Sequence, residues 1–224
     1  MRLYKYVLLA FLILSAAACE KDNLKAPTST LTGTVTYQGQ PIGVRSTGVQ
    51  FEIWQSGYQL FTKIPLNIKQ DGTFSAELFD GDYKLVRTTG AGPWTDKTDT
   101  INVKLNGTAT VDVPVEPFFI IKNPAFEKIG STIKATFTID KIVASKTLEL
   151  ARLYIGPNLI LDQNNNAANV QVLASAITIG TPVSVTVNIP ASIANDNFIF
   201  ARVGVKTTGV SELLYTMSQK IQLK

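Results

Sequence analysis

From Leu31 onward, apolar side chains recur at every second position in short runs, and turn-forming residues separate one run from the next. Val49, Phe51 and Ile53 share a face in the run 49–54, as do Ile133, Ala135, Phe137 and Ile139 in the run 132–139. A period of two belongs to the β-strand, whose successive Cβ atoms point to opposite sides of the pleat. Helical spacing is not sustained over any useful length, so the pattern predicts an all-β chain. In the first half the runs are 31–37, 49–54, 66–69, 73–79, 82–87, 100–105 and 108–113, about the number expected of a small antiparallel sandwich. Asp71-Gly72, Asp80-Gly81 and Asn106-Gly107 fall between runs and predict hairpins,.

A second set of runs, 132–139, 148–155, 183–189, 198–206 and 214–223, predicts a second sandwich of immunoglobulin or fibronectin type. Pro114 and Pro117 stand between the two sets, and proline cannot donate to a strand ladder,. The expected domains are therefore 31–116 and 117–224, with residues 115–118 open to proteases. Asp162-Gln163-Asn164-Asn165-Asn166 reads as a loop, and the stretch 167–176 reads equally as a helical turn or an edge strand.

The first thirty residues follow another logic. A basic start, Met1-Arg2-Leu3-Tyr4-Lys5, precedes an apolar run at 6–14 and the small residues Ser15-Ala16-Ala17-Ala18. The run is shorter than the ~20 residues that cross a bilayer, so residues 1–18 are expected to be a removable export signal. Cys19 follows directly and resembles the cysteine of a bacterial lipobox, where a diacylglycerol thioether replaces the free thiol. Glu20-Lys21-Asp22-Asn23 resembles the Lys- and acid-rich tag that sends Bacteroidetes lipoproteins to the outer face of the outer membrane. Residues 19–30 then read as a tether.

Once the signal is removed, about 205 of the 224 residues remain, enough for two cores,. Taking Arg2 and Lys5 from the 21 basic residues leaves 19 against 17 acidic ones, a net +2. The basic residues are scattered singly, which gives no duplex-binding surface and excludes nucleic acid as a partner. One cysteine allows no internal disulfide, and the lack of histidine excludes Ser-His-Asp and Cys-His constellations,. Asp71, Glu77, Asp80 and Asp82 have no nucleophile or base in sequence beside them, and turn chemistry accounts for most of them. The chain is expected to be no enzyme, to bind no metal and to need no cofactor.

Several motifs carry a family resemblance. Gly33-Thr34-Val35, the segment from Gly39-Gln40-Pro41 to Val44, Asp71-Gly72-Thr73-Phe74 and Gly81-Asp82-Tyr83-Lys84-Leu85 together resemble the carboxypeptidase-regulatory-like, or transthyretin-like, β-sandwich. Leu78 to Tyr83, with Gly92-Pro93-Trp94 and Phe200-Ala201-Arg202-Val203-Gly204, resembles a family of two-domain Bacteroidetes lipoproteins of unknown function. The resemblance implies a surface lipoprotein working beside a SusC/SusD-type importer in polysaccharide uptake, with polysaccharide as ligand. A rival from another class is an adhesin or structural subunit that pairs through sheet edges.

Sugar binding needs an aromatic face with polar groups around it. Trp94, with Asp96 and Lys97, on the Gly/Pro-rich 90–97 loop is the first candidate; the alternative is that Trp94 plugs one end of the sandwich. Trp54 has the opposite parity to Phe51 and Ile53, as either a surface ring or, the expected case, a buried one. Tyr58 and Phe61 follow in the next segment. Asp99-Thr100-Ile101 resembles the Bacteroidetes O-glycosylation acceptor, with Thr100 as the modified residue.

Overall fold

The structure is a computed structural model and describes residues 25–57 and 62–224. Cys19, the Glu20–Asn23 tag, Tyr58 and Phe61 lie outside the described residues.

The first half folds as nine short strands: β1 (Ser29–Tyr37), β2 (Gln40–Pro41), β3 (Gln50–Gln55), β4 (Ile64–Asn67), β5 (Thr73–Leu78), β6 (Gly81–Arg87), β7 (Thr100–Leu105), β8 (Thr108–Thr110) and β9 (Val113–Pro114). One sheet has the order β4-β3-β6-β7 and is antiparallel throughout. The other is built on β1, which pairs antiparallel with β2 and β5 but parallel with β8 and β9. The small β-sandwich expected from the strand spacing is present, with β8 and β9 parallel to β1 where antiparallel pairing was expected. The three expected hairpins are corrected. Asp71-Gly72 makes a tight turn, with Gly72 at φ 81° and its amide bonded to Lys69 O. Yet the strands it joins, β4 and β5, lie in different sheets, and so do those joined at Asp80-Gly81 and Asn106-Gly107. Leu31, Phe51, Ile53, Phe74 and Leu85 are packed into one core with Trp94.

The second half comprises β10 (Phe119–Ile129), β11 (Thr132–Lys141), β12 (Leu148–Gly156), β13 (Ala168–Leu173), β14 (Pro182–Asn188), β15 (Phe198–Thr207), β16 (Leu214–Tyr215) and β17 (Gln219–Gln222). A three-stranded sheet, β10-β11-β14, faces a five-stranded one, β13-β12-β15 with β16 and β17 on the far side of β15. Ile133, Phe137, Leu153, Ile199 and Val203 belong to the core of this half. Both readings of 167–176 are realised, since β13 is an edge strand and Ala174–Ala176 forms a 3-10 turn after it. β10 gave no period-two signal, because its register against β11 shifts between Lys122 and Ala125. Pro124 sits in that bulge, where a missing N–H costs no ladder bond.

The two sheets of this half differ in what covers them. β11 and β14 alternate between buried and less buried positions, as a sheet with one wet face does,. β12 and β15 are buried or half-buried at every residue, with no exposed position on either face. Their second face is covered by Leu161, Leu213 and Tyr215 of the same domain, which pack on Tyr154 and Phe200, and at Arg202 by Val44 and Gln70 of the first domain.

Candidate functional site

The domain junction is organised by Arg202, which lies mid-strand in β15 on the face away from its own core and is 0% exposed. Its Nε donates to Thr216 O at 2.7 Å and Nη1 to Leu161 O at 2.9 Å. Across the junction, Nη2 donates to Val44 O at 2.9 Å and Gln70 O at 2.7 Å. The guanidinium also stacks 4.3 Å from the Tyr215 ring centroid. Burial pushes its pKa down, to about 10, against the pull of Tyr215, Asp162 and Asp71, so it is still a cation at neutral pH,. A planar fork with five donors suits a site walled by carbonyl oxygens, where an ammonium would leave several of them unpaired. Arg45 forks onto Glu212 at 3.0 and 2.5 Å, and Tyr215 N donates to Gly43 O at 2.9 Å. Leu214 completes the core of the first domain. The two sandwiches are therefore joined by a bonded, packed interface.

Beside this interface opens a cleft of about 720 Å³. One wall is the β1–β2 hairpin, with Tyr37, Gln38 and Gln40; the others come from β10, with Lys122, and from β17, with Gln219 and Lys220. Gln38 and Asn123 hold positive φ, 51° and 49°, and a non-glycine residue in that region is uncommon and tied to tight local geometry,. Lys122 is paired with Asp140 at 2.6 Å, and Lys220 lies 3.7 Å over the Phe198 ring. Among the described residues lining the cleft there is no carboxylate. The walls offer two phenols, three amides, two cations, two aliphatic hydroxyls and apolar surface, a set suited to holding a polar ligand rather than to moving protons.

The residues expected to bind sugar are placed otherwise. Trp94 is 2% exposed, with its ring 6.2 Å from that of Phe51 in the core. It forms a bridge with Pro117, flanked by bonds from Thr95 N to Glu116 O at 2.8 Å and from Phe118 N to Pro93 O at 3.1 Å. A Cβ on Gly92 would lie 2.3 Å from the indole, so only glycine lets the loop close over it. Of the two roles expected for Trp94, the structure realises the plug and not the stacking platform, since a ring buried on both faces offers none to a sugar. The same contacts bury Val115, Pro117 and Phe118, so the expected protease-open junction is corrected. Asp96 is exposed and accepts a bond from Gly90 N at 2.8 Å, tying the base of the loop, while Lys97 is exposed beside it. Thr100 is exposed at the start of the edge strand β7, and the carboxylate of Asp99 before it pairs with Arg87.

Of the four acidic candidates, Asp71 and Asp80 serve turns, while Glu77 and Asp82 are exposed on strands β5 and β6. Asp71 accepts from Thr73 N at 3.0 Å and Thr73 Oγ1 at 2.7 Å. Asp80 accepts from Ser29 Oγ and, at 2.9 Å, from Gly107 N, and these bonds hold its carboxyl below the usual range. Trp54, expected to be buried, is only half-buried and lines a groove on the outer face of β3. Arg202 and Tyr37 were not candidates at all. Beyond its place in the motif Phe200 to Gly204, the signal for Arg202 is a lone arginine within the otherwise apolar run 199–205, a residue type seldom placed among such neighbours unless it has a fixed set of acceptors,.

Two family models match the chain: a protein of unknown function (DUF3823), N-terminal domain, over residues 29–116, and a domain of unknown function (DUF3823_C) over 119–220. A DUF3823 family protein from Bacteroides ovatus is 38% identical, covering 88% of this chain and 100% of its own, with a TM-score of 0.82. Another, from Parabacteroides merdae, is 33% identical over the same shares, 88% and 100%, with a TM-score of 0.81. A Bacteroides uniformis structure named a "putative carbohydrate binding protein" shares the fold at 17% identity, covering 88% and 100%, with a TM-score of 0.72. No curated protein matches the chain.

Proposed function

This chain belongs to the DUF3823 family, and from that premise we propose that it is a non-catalytic carbohydrate-binding lipoprotein whose ligand site is the interdomain cleft. In this reading a lipid on Cys19 holds it to the outer face of the outer membrane, where it serves polysaccharide uptake beside a SusC/SusD-type importer. The observation that carries the ligand class is the cleft itself, about 720 Å³ in volume between two domains held by Arg202. Ligand sites favour domain interfaces, and rigid walls lower the ordering cost of binding. A sugar presents C–H faces and many hydroxyls, which Tyr37 and the amides of Gln38, Gln40 and Gln219 are equipped to meet. The name of the Bacteroides uniformis relative supports the same class. Acids bonded into turns and the absence of histidine from the sequence favour binding over hydrolysis.

The test is calorimetric titration with laminarin, xyloglucan, galactomannan and polygalacturonate. At least one polymer is expected to bind, and Tyr37→Ala to lose ~2 kcal/mol, about thirtyfold in affinity, as the central ring of a site does. Equal affinity in wild type and variant would remove the cleft from the site. The anchor is tested separately by fatty-acid labelling in cells, expected on the wild type and absent from Cys19→Ser; a labelled variant would defeat it.

A further inference from the structure

Strand parity sets a second row of polar groups around a tryptophan, on the sheet of the first domain that does not carry the β1–β2 wall of the cleft. On the outer face of β4-β3-β6-β7, Trp54 pairs in register with Lys84, and Lys84 with Asn102. Asp82 pairs with Lys104 one position along. Lys84, Asn102, Asp82 and Lys104 are all exposed, and with Trp54 they line a groove of about 340 Å³. That volume is at the lower end of ligand pockets, which run ~300–1,000 Å³. With neighbouring strands ~4.8 Å apart, the row from Trp54 to Asn102 spans ~10 Å, about the length of a disaccharide.

The indole is held in place rather than left to rotate. Trp54 Nε1 donates to Glu52 Oε2 at 3.2 Å, and Glu52 Oε1 takes the ammonium of Lys63 at 2.6 Å. A ring fixed in this way on an outer sheet face loses little freedom when a ligand stacks on it. Cations and carboxylates alternate across the face, Lys63 beside Glu52 and Lys104 beside Asp82, so no single sign of charge builds up.

We propose that this face is a second saccharide platform, on which a pyranose ring of a neutral polysaccharide stacks on Trp54 while Lys84 and Asn102 take the hydroxyls of that ring and its neighbour. It rests on the carbohydrate reading above, but on different residues from those of the cleft. A polymer long enough to touch both sites gains from the second contact through effective concentration.

The sequence has two tryptophans, and Trp94 is 2% exposed, so acrylamide quenching of the folded protein reports on Trp54. Affinity gel electrophoresis and quenching are run with laminarin, xyloglucan, galactomannan and polygalacturonate. A neutral polymer should retard the wild type and shield Trp54 from acrylamide. Trp54→Ala should weaken that retardation tenfold or more, and Asn102→Ala about threefold, with melting temperatures near that of the wild type. Should Trp54→Ala fail to fold, Asn102→Ala, a change at an exposed edge-strand position, decides. Retardation lost in Tyr37→Ala but intact in Trp54→Ala and Asn102→Ala would overturn the platform and leave the cleft standing. Binding of polygalacturonate alone would overturn the neutral class, and binding of no polymer would overturn both sites.

Discussion

Trp94 and Trp54 stand on opposite sides of strand β3 and have exchanged the places their surroundings in sequence suggest. Trp94 is on a Gly/Pro-rich loop, where exposure is the usual outcome, yet it packs on Phe51 and is sealed by the domain junction,. Trp54 is inside a strand among apolar neighbours, yet it faces outward beside Glu52 and Lys84. The loop is short and tied at Gly90 by Asp96, so it folds back over the open end of the sandwich, where a large apolar ring gains most by burial,. Strand parity leaves Trp54 no such choice, since Phe51 and Ile53 already hold the inward positions,. The kind of element a residue belongs to is thus a weaker guide to exposure than the face it must take and the neighbour available to cover it.

This contrast can be broken most forcefully at Trp94. Trp94→Ala opens a cavity against Phe51 and the junction and should cost ~3–5 kcal/mol. For a chain of this size that lowers the melting temperature by roughly 6–20 °C in calorimetry. A shift no larger than that of Trp54→Ala would mean that the two rings do not differ as described. Arg202→Met comes next, at ~2–4 kcal/mol, because it strips the donors from Val44 O, Gln70 O, Leu161 O and Thr216 O inside the interface,. It should also make residues 115–118 a site of limited proteolysis, which in the wild type they are not expected to be. Trp54→Ala comes last, expected below about 1 kcal/mol, as a substitution on a wet sheet face.

Local chemistry was legible wherever it acts alone. Asp71-Gly72, Asp80-Gly81 and Asn106-Gly107 do reverse the chain, because backbone conformation at a turn depends on the residues in it. Their sequences are silent on whether the next strand joins the same sheet, and in all three cases it joins the other. That outcome follows from distant partners: β5 pairs with β1, β6 with β3, and β8 with the other side of β1 in parallel. β10 stayed hidden because its bulge at Asn123-Pro124 breaks the period on which strand recognition rests.

The candidate site was less legible than the fold. Tyr37, Gln38 and Gln219 look like ordinary strand and turn residues, and they become walls only because two domains meet there. By itself the sequence determined an all-β chain of two sandwiches, the turns between strands and the inward faces of β3, β11 and β14, since each depends on period and on residues near in the chain,. Tertiary structure alone decided which sheet each strand joins, that Trp94 is covered and that Arg202 is bonded across the junction. These depend on pairs such as Arg202 with Val44 and Gln70, more than a hundred residues apart, and a period read along the chain holds no information about partners at that distance.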